Sequence, residues 1–292
     1  MVQETRTQTT EGVPQPARAR IGTAEVLAAL AGVKSGRVYD LGSELSAEMP
    51  QGPRDTFGGF RLTQYHVPRC LYQPDDPPPL DFSMEVITGS PHLGSHIDAF
   101  AHIQGRGRVF GGARAAEVFG DFGWAQNGME TVPPIVGRGI LLDAARARGL
   151  ERLPDDARIG PDELRECLAR QGTEPRSGDT VLVRTGKFED FRNRSEEYFA
   201  RHAGVTPEGA LWLCDQGMAV LGTDTTATEP YPFPDPAHTT HVAMLVEKGV
   251  HLLEILDLDE LARDGVYEFL FICLPLKIVG ATGSWVRPVA VV

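Results

Sequence analysis

One short segment constrains this chain more than any other: His92-Leu-Gly-Ser-His96-Ile-Asp98-Ala-Phe-Ala-His102. Its ionisable side chains fall at even spacings. In an extended strand alternate residues share a face, so His92, His96 and Asp98 lie together while Gly94 contributes no side chain. In a helix His92 and His96 would share a face, but Asp98 would swing away from it. The segment therefore reads as a strand or extended loop that offers two nitrogens and one oxygen to a divalent metal. Any one of these residues alone is more often a surface or hydrogen-bonded group. Crowding argues otherwise, because three of the eight histidines in the chain sit here beside an aspartate. Neutral imidazole and carboxylate are the ligands that zinc and manganese take.

Such a site needs a scaffold, and 292 residues are enough to bury a large core without disulfides. Cys70, Cys167, Cys214 and Cys273 are scattered with no C-x-x-C pair, so they read as free thiols in a reducing cytoplasm. The formal charge of -12 repels phosphate backbones and argues against nucleic-acid binding. No apolar run reaches the length of a membrane span, and the polar stretch Met1 to Arg20 lacks a secretory pattern. Residues 1–20 are expected to form a tail and residues 21–292 a single domain.

Periodicity places helices at Thr23–Leu30, Gly160–Arg170, Thr206–Gln216, His238–Lys248 and Leu258–Arg263. Strands are expected at Arg37–Leu41, Asp81–Thr88, Gly139–Ala144, Asp179–Arg184, Met218–Gly222, Val250–Ile255, Tyr267–Ile278 and Ser284–Val292. Residues 49–79 and 105–120, rich in Pro, Gly or Asp, read as loops. The alternation of strands and helices in the second half points to mixed α/β layers. Two further ligand candidates stand apart from the first segment: His241 at the start of a helix and Glu254 at the end of a strand. The run from Gly222 to Pro230 reads as a turn in which Asp224 caps local amides, or as a hydroxyl-rich segment that hydrogen-bonds substrate or orients a ligand histidine. Phe82, Phe100 and Trp124 are candidates for an aromatic pocket wall, with burial in the core as the alternative.

His92-x-Gly94-x-His96-x-Asp98-x-x-x-His102 resembles the signature of the metal-dependent cyclase or kynurenine formamidase superfamily, which includes isatin hydrolase. The segment from His241 through Glu254 to Glu260 and the segment from Pro275 to Ser284 are similar to later regions of that family. The resemblance covers residues 37–292. It implies an α/β fold of the swivelling β/β/α type, with a barrel-like mixed sheet flanked by helices and assembly as a homodimer or homotetramer. It also implies that His92, His96 and Asp98 bind Zn2+ or Mn2+ and that His102 is the catalytic acid or base. His241 and Glu254 would complete a second metal position, with Asp98 and Glu254 bridging. His241 and Glu254 are one residue further apart than in kynurenine formamidases, so one ion remains an alternative to two. The stretch Gly42 to Pro50 lacks the tryptophan that those enzymes carry near the first strand, which argues against N-formylkynurenine as substrate.

The chemistry expected of this set is hydrolysis of a small molecule. A bound divalent ion acidifies water and polarises a carbonyl, and His102 carries a proton to the leaving atom. The expected target is a cyclic amide, an N-acyl amide or an ester. A metal-dependent cyclase or dehydratase is the alternative from another enzyme class, and a non-catalytic scaffold stabilised by metal is the third. No Gly-x-Ser-x-Gly elbow and no phosphate loop competes with these readings.

Overall fold

A nine-stranded mixed sheet organises the computed structural model, which describes residues 15–292. In chain order its strands are β1 (Val38–Asp40), β2 (His96–Asp98), β3 (Ile135–Asp143), β4 (Thr180–Arg184), β5 (Val220–Thr223), β6 (His251–Glu254), β7 (Glu268–Cys273), β8 (Gly283–Trp285) and β9 (Val289–Val291). Their spatial order is β1-β9-β7-β3-β4-β5-β6-β2-β8, and the sheet curls into a half-barrel. The centre, β3-β4-β5-β6, is parallel. The flanking pairs are antiparallel. Strands buried on both faces read as continuous apolar runs, which is how Gly-Ile-Leu-Leu-Asp and Thr-Val-Leu-Val-Arg could be placed from sequence.

Alternate residues of these strands feed two cores. Leu142, Val183, Leu221 and Leu252 face helices α2 (Pro161–Gln171) and α3 (Pro207–Asp215) and a π-helix at Val242–Lys248. Leu141, Leu182, Val220 and Leu253 pack in a second core with Tyr39, Leu41, Ile97, Phe269 and Phe271. Helix α1 (Thr23–Gly32) packs on β3 and β7. Helix α4 (Asp259–Asp264) follows β6 closely. Local chemistry sets the helix ends. Pro161 occupies the first turn of α2 and Gly172 closes it in the left-handed conformation. The Thr206 hydroxyl accepts from the Gly209 N–H at 3.2 Å at the start of α3.

Several expectations need correction. Helix α1 is preceded by Gly22 at the cap, not capped by Thr23. Tyr267–Ile278 is a strand only to Cys273, and Ser284–Val292 is two short strands with Pro288 between them. Residues 49–79 are not all loop. Arg61–His66 pairs with Met84–Thr88 in an antiparallel hairpin outside the main sheet. Residues 1–14 of the expected tail lie outside the described residues. Its final turn is structured, since Ala17–Arg20 form a 3-10 turn with Ala17 buried and its N–H donating to Gly249 O at 2.8 Å. Cys167, Cys214 and Cys273 are free and buried, and burial pushes their thiols up to about 12, 11 and 12.

Candidate metal centre

Cross-strand register builds the cluster. Strand β2 lies between β6 and β8, with His96 opposite Glu254 on one side and Asp98 opposite Gly283 on the other. Opposed residues in a ladder project to the same face at contact distance. Gly283 is required there, because a Cβ at that position would lie 2.7 Å from Cε1 of the His92 ring. His92 itself does not lie on the strand. Residues 91–95 form a turn, and Gly94 adopts φ +68. The expected extended run is thus confined to His96–Asp98, and the turn brings His92 back over it. Ser95 secures the turn by accepting from Ser43 N at 2.7 Å and donating to Ile255 O at 2.6 Å. Ile255 follows Glu254 at φ 59, a strained conformation for a β-branched residue. Its N–H donates to Thr225 O at 3.0 Å, so hydrogen bonds hold it at both ends.

Three imidazoles are each fixed through one nitrogen while the other points inward. His96 Nδ1–H donates to Gly94 O at 2.9 Å. Nδ1 of His241 pairs with Glu229 Oε2 at 2.6 Å. His92 Nε2 meets Thr282 Oγ1 at 2.9 Å. The inward atoms converge on Asp98. His92 Nδ1 lies 2.9 Å and His96 Nε2 lies 3.6 Å from Asp98 Oδ1. His241 Nε2 lies 3.5 Å from Asp98 Oδ2 and 3.4 Å from Glu254 Oε1. Glu254 Oε2 is 3.5 Å from His96 Nε2, and Thr228 donates to Glu254 Oε1 at 3.0 Å. His102 stacks on His92 with ring centroids 4.0 Å apart.

Asp98 is fully buried, and among the described residues its oxygens meet imidazole nitrogens alone, with no backbone or hydroxyl donor. A buried carboxylate is strongly destabilising unless a cation compensates it. Atoms bound about 2.0–2.1 Å from a tetrahedral zinc lie about 3.3 Å apart, close to the separations seen here. The residues therefore fit a divalent metal. His92, His96 and Asp98 form one candidate ligand set, and Asp98, His102 and His241 form another.

The charge pattern agrees. Burial draws His96 down to about 4 against the pull of Asp98. It draws His102 to about 3, again with Asp98 opposing. Both rings are therefore neutral near pH 7, the state in which imidazole binds metal. Burial would raise the Asp98 carboxyl, but His102, His241 and His92 hold it well below the ordinary range. Burial pushes Glu254 up to about 8, with His241 opposing. His241 is raised well above an ordinary imidazole although burial works against this, because Glu229 and Glu254 surround it. A cation bound among these atoms would take that proton's place.

All six expected positions, His92, His96, Asp98, His102, His241 and Glu254, thus meet in one cluster. The 222–230 run orients a histidine as expected, but Asp224 caps amides 39 and 38 positions away, just after β4, and not local ones. Asp224 accepts from Thr185 N and Gly186 N at 2.9 and 2.7 Å, while Glu229 orients His241. Thr282 was not singled out, since only its place before β8 relates it to His92. A cavity of about 430 Å³ opens onto the cluster, lined by Phe57, Ile103, Phe233, Pro236 and Val242 among others. Phe82, Phe100 and Trp124 do not line it: Phe82 is half exposed, and Phe100 is buried elsewhere.

Comparison with known proteins converges on the same family. The Cyclase family profile matches residues 39–230. The kynurenine formamidase of Delftia acidovorans is 28% identical over 254 residues, covering 87% of this chain and 96% of its own. A crystal structure described as a novel cyclase superposes with a TM-score of 0.85 at 27% identity, covering 95% of both chains. Isatin hydrolase A from Ralstonia solanacearum superposes with a TM-score of 0.65 at 24% identity, over 97% of this chain and 100% of its own. The chain belongs to the Cyclase family, the superfamily to which its histidine motif points.

Proposed function

We propose that this protein is a metal-dependent hydrolase acting on the C–N bond of a cyclic amide or an N-acyl amide, or on an ester. The observation that carries this reading is Asp98, whose two buried oxygens face, among the described residues, only imidazole nitrogens whose opposite nitrogens are already committed. His92, His96 and Asp98 would hold one Zn2+ or Mn2+, and His241 and Glu254 would complete a second position. Bound there, the ion supplies a Lewis acid and lowers the pKa of water. Its family relatives named for formamidase and isatin hydrolase activity support amide chemistry.

The chain's own residues supply the rest. His102, unprotonated and adjacent to Asp98 and His241, is placed to accept a proton from the attacking water and return it to the leaving nitrogen. The cavity wall contains no lysine or arginine among the described residues, so it favours an uncharged, flat substrate. A second reading makes His102 a ligand, because its nitrogen lies within ligand reach of Asp98 and His241. We propose a homo-oligomer as the working form. Free buried thiols support a cytoplasmic setting, and no described helix is long and apolar enough to cross a membrane.

The test is metal analysis followed by chelation, restoration with zinc or manganese, and assay on a panel of lactams, formamides and lactones. Activity should vanish with the metal and return with it; turnover indifferent to chelation would overturn the reading. Reaction in 18O-water should label the product, whereas a ring-forming cyclase would leave it unlabelled. His102→Ala should cut turnover about 10²–10⁴-fold at unchanged metal content. A loss of metal in that variant would favour the ligand role.

A further inference from the structure

A second cavity, of about 810 Å³, shares no lining residue with the one that opens onto the metal cluster. Its size suits a small-molecule site. One wall is an aromatic stack. The rings of Phe100 and His251 lie 4.0 Å apart and 7° from parallel, and Phe110 leans on Phe100 with centroids 4.8 Å apart. His251 is 2% exposed. Its Nδ1–H donates to Asp98 O at 2.8 Å, which leaves Nε2 as an acceptor without a partner among the described residues.

Arg18 is the one arginine or lysine in the wall among the described residues. Its Nη atoms donate to the carbonyls of Ile21 and Pro134 at 3.1 and 3.2 Å, and its buried Nε–H has no partner among the described residues. No carboxylate among the described residues neutralises it. Glu117, the one carboxylate in the wall among the described residues, is exposed and lies 3.7 Å from Arg114. Asn127 donates Nδ2 to Phe110 O at 2.9 Å, which leaves Oδ1 as a second acceptor. A guanidinium without a counter-charge recognises a carboxylate. An aromatic stack recognises a flat ring.

We propose that this cavity is a binding site for a small aryl carboxylate, its carboxylate on Arg18 and its ring against Phe100 and Phe110. The proposal stands apart from the hydrolytic reading. Calorimetric titration of the full chain with phenylacetate, and with phenylacetamide as the uncharged isostere, tests it. Phenylacetate should bind at least tenfold more tightly than the amide. Arg18→Met should weaken binding at least tenfold and Arg18→Lys by less. Ala113→Phe, which fills the cavity from its partly exposed wall, should abolish it. His241→Ala, which damages the metal cluster, should leave it unchanged. Binding that survives Ala113→Phe, or that disappears in His241→Ala, would overturn the proposal, as would equal affinity for acid and amide. Should Arg18→Met prove unstable by its melting temperature, Ala113→Phe and the acid–amide comparison decide the matter.

Discussion

Glu229 shows how much a residue can do without touching the reacting atoms. Its carboxylate lies 2.6 Å from His241 Nδ1, fixing the tautomer and aiming Nε2 at Asp98 and Glu254. Such partners typically change metal affinity 10–100-fold when lost. Glu229→Gln should therefore lower metal affinity by about that factor while the chain stays folded, measurable by competition with a chelating dye; unaltered affinity would deny Glu229 this role. His202 offers a pH test away from the cluster. It is buried between Ala203 O at 2.8 Å and Thr226 Oγ1 at 3.0 Å, and burial draws it from an ordinary 6.5 to about 4. A lowered histidine contributes stability above pH 6.5 that is lost as pH falls towards 4. Urea unfolding at pH 7 and about pH 4.5 should show a loss attributable to this residue of about 2 kcal/mol. His202→Gln should be less sensitive to acid than the parent by that amount. These roles were only partly legible. Even spacing in the histidine motif marked the candidate ligands, whereas Thr282 reaches His92 across 190 positions and carries no local signal.

At the scale of elements, register and turn geometry decide whether the ligands meet. Gly94 is the sensitive point, since it sits at φ +68 and an added Cβ would overlap Leu45 Cδ2. Gly94→Ala should cost about 1–3 kcal/mol through backbone strain and overpacking, and should reduce metal binding with it. Denaturant unfolding together with metal stoichiometry checks both effects, and adding Leu45→Ala should restore part of the stability. Central strands were legible because two-sided burial writes them as apolar runs. The hairpin at 61–66 and 84–88 was read as loop in its first strand, because its polar and exposed residues show no buried face. The π-helix at 242–248 is indistinguishable in sequence from an ordinary helix ending at Gly249. Its extra residue per turn is a matter of packing, and it leads directly from His241.

The whole molecule carries a hairpin that stands outside its main sheet with Leu62, Tyr65, Val86 and Ile87 exposed, and Leu80 is 86% exposed nearby. Two strands alone are marginal in water, and the proposed homo-oligomer would cover apolar surface of this kind. Thr56, Phe57 and Ser90, at the base of the hairpin, line the cavity of the metal cluster. Light scattering should find a dimer or larger assembly at micromolar concentration. The double variant Tyr65→Glu, Leu80→Glu should shift it towards monomer and weaken substrate binding; a monomeric parent would refute the proposed assembly. By itself the sequence determined the family motif, the α/β layering and the chemistry of the candidate ligand atoms, because spacing and apolar periodicity are local properties that survive without neighbours. Tertiary structure alone decided which nitrogen of each imidazole faces inward, that Glu229 and Thr282 do the aiming, and that Asp98 is buried against imidazole nitrogens. Those outcomes depend on contacts between strands and loops far apart in the chain, where only the folded geometry brings the partners within hydrogen-bond range.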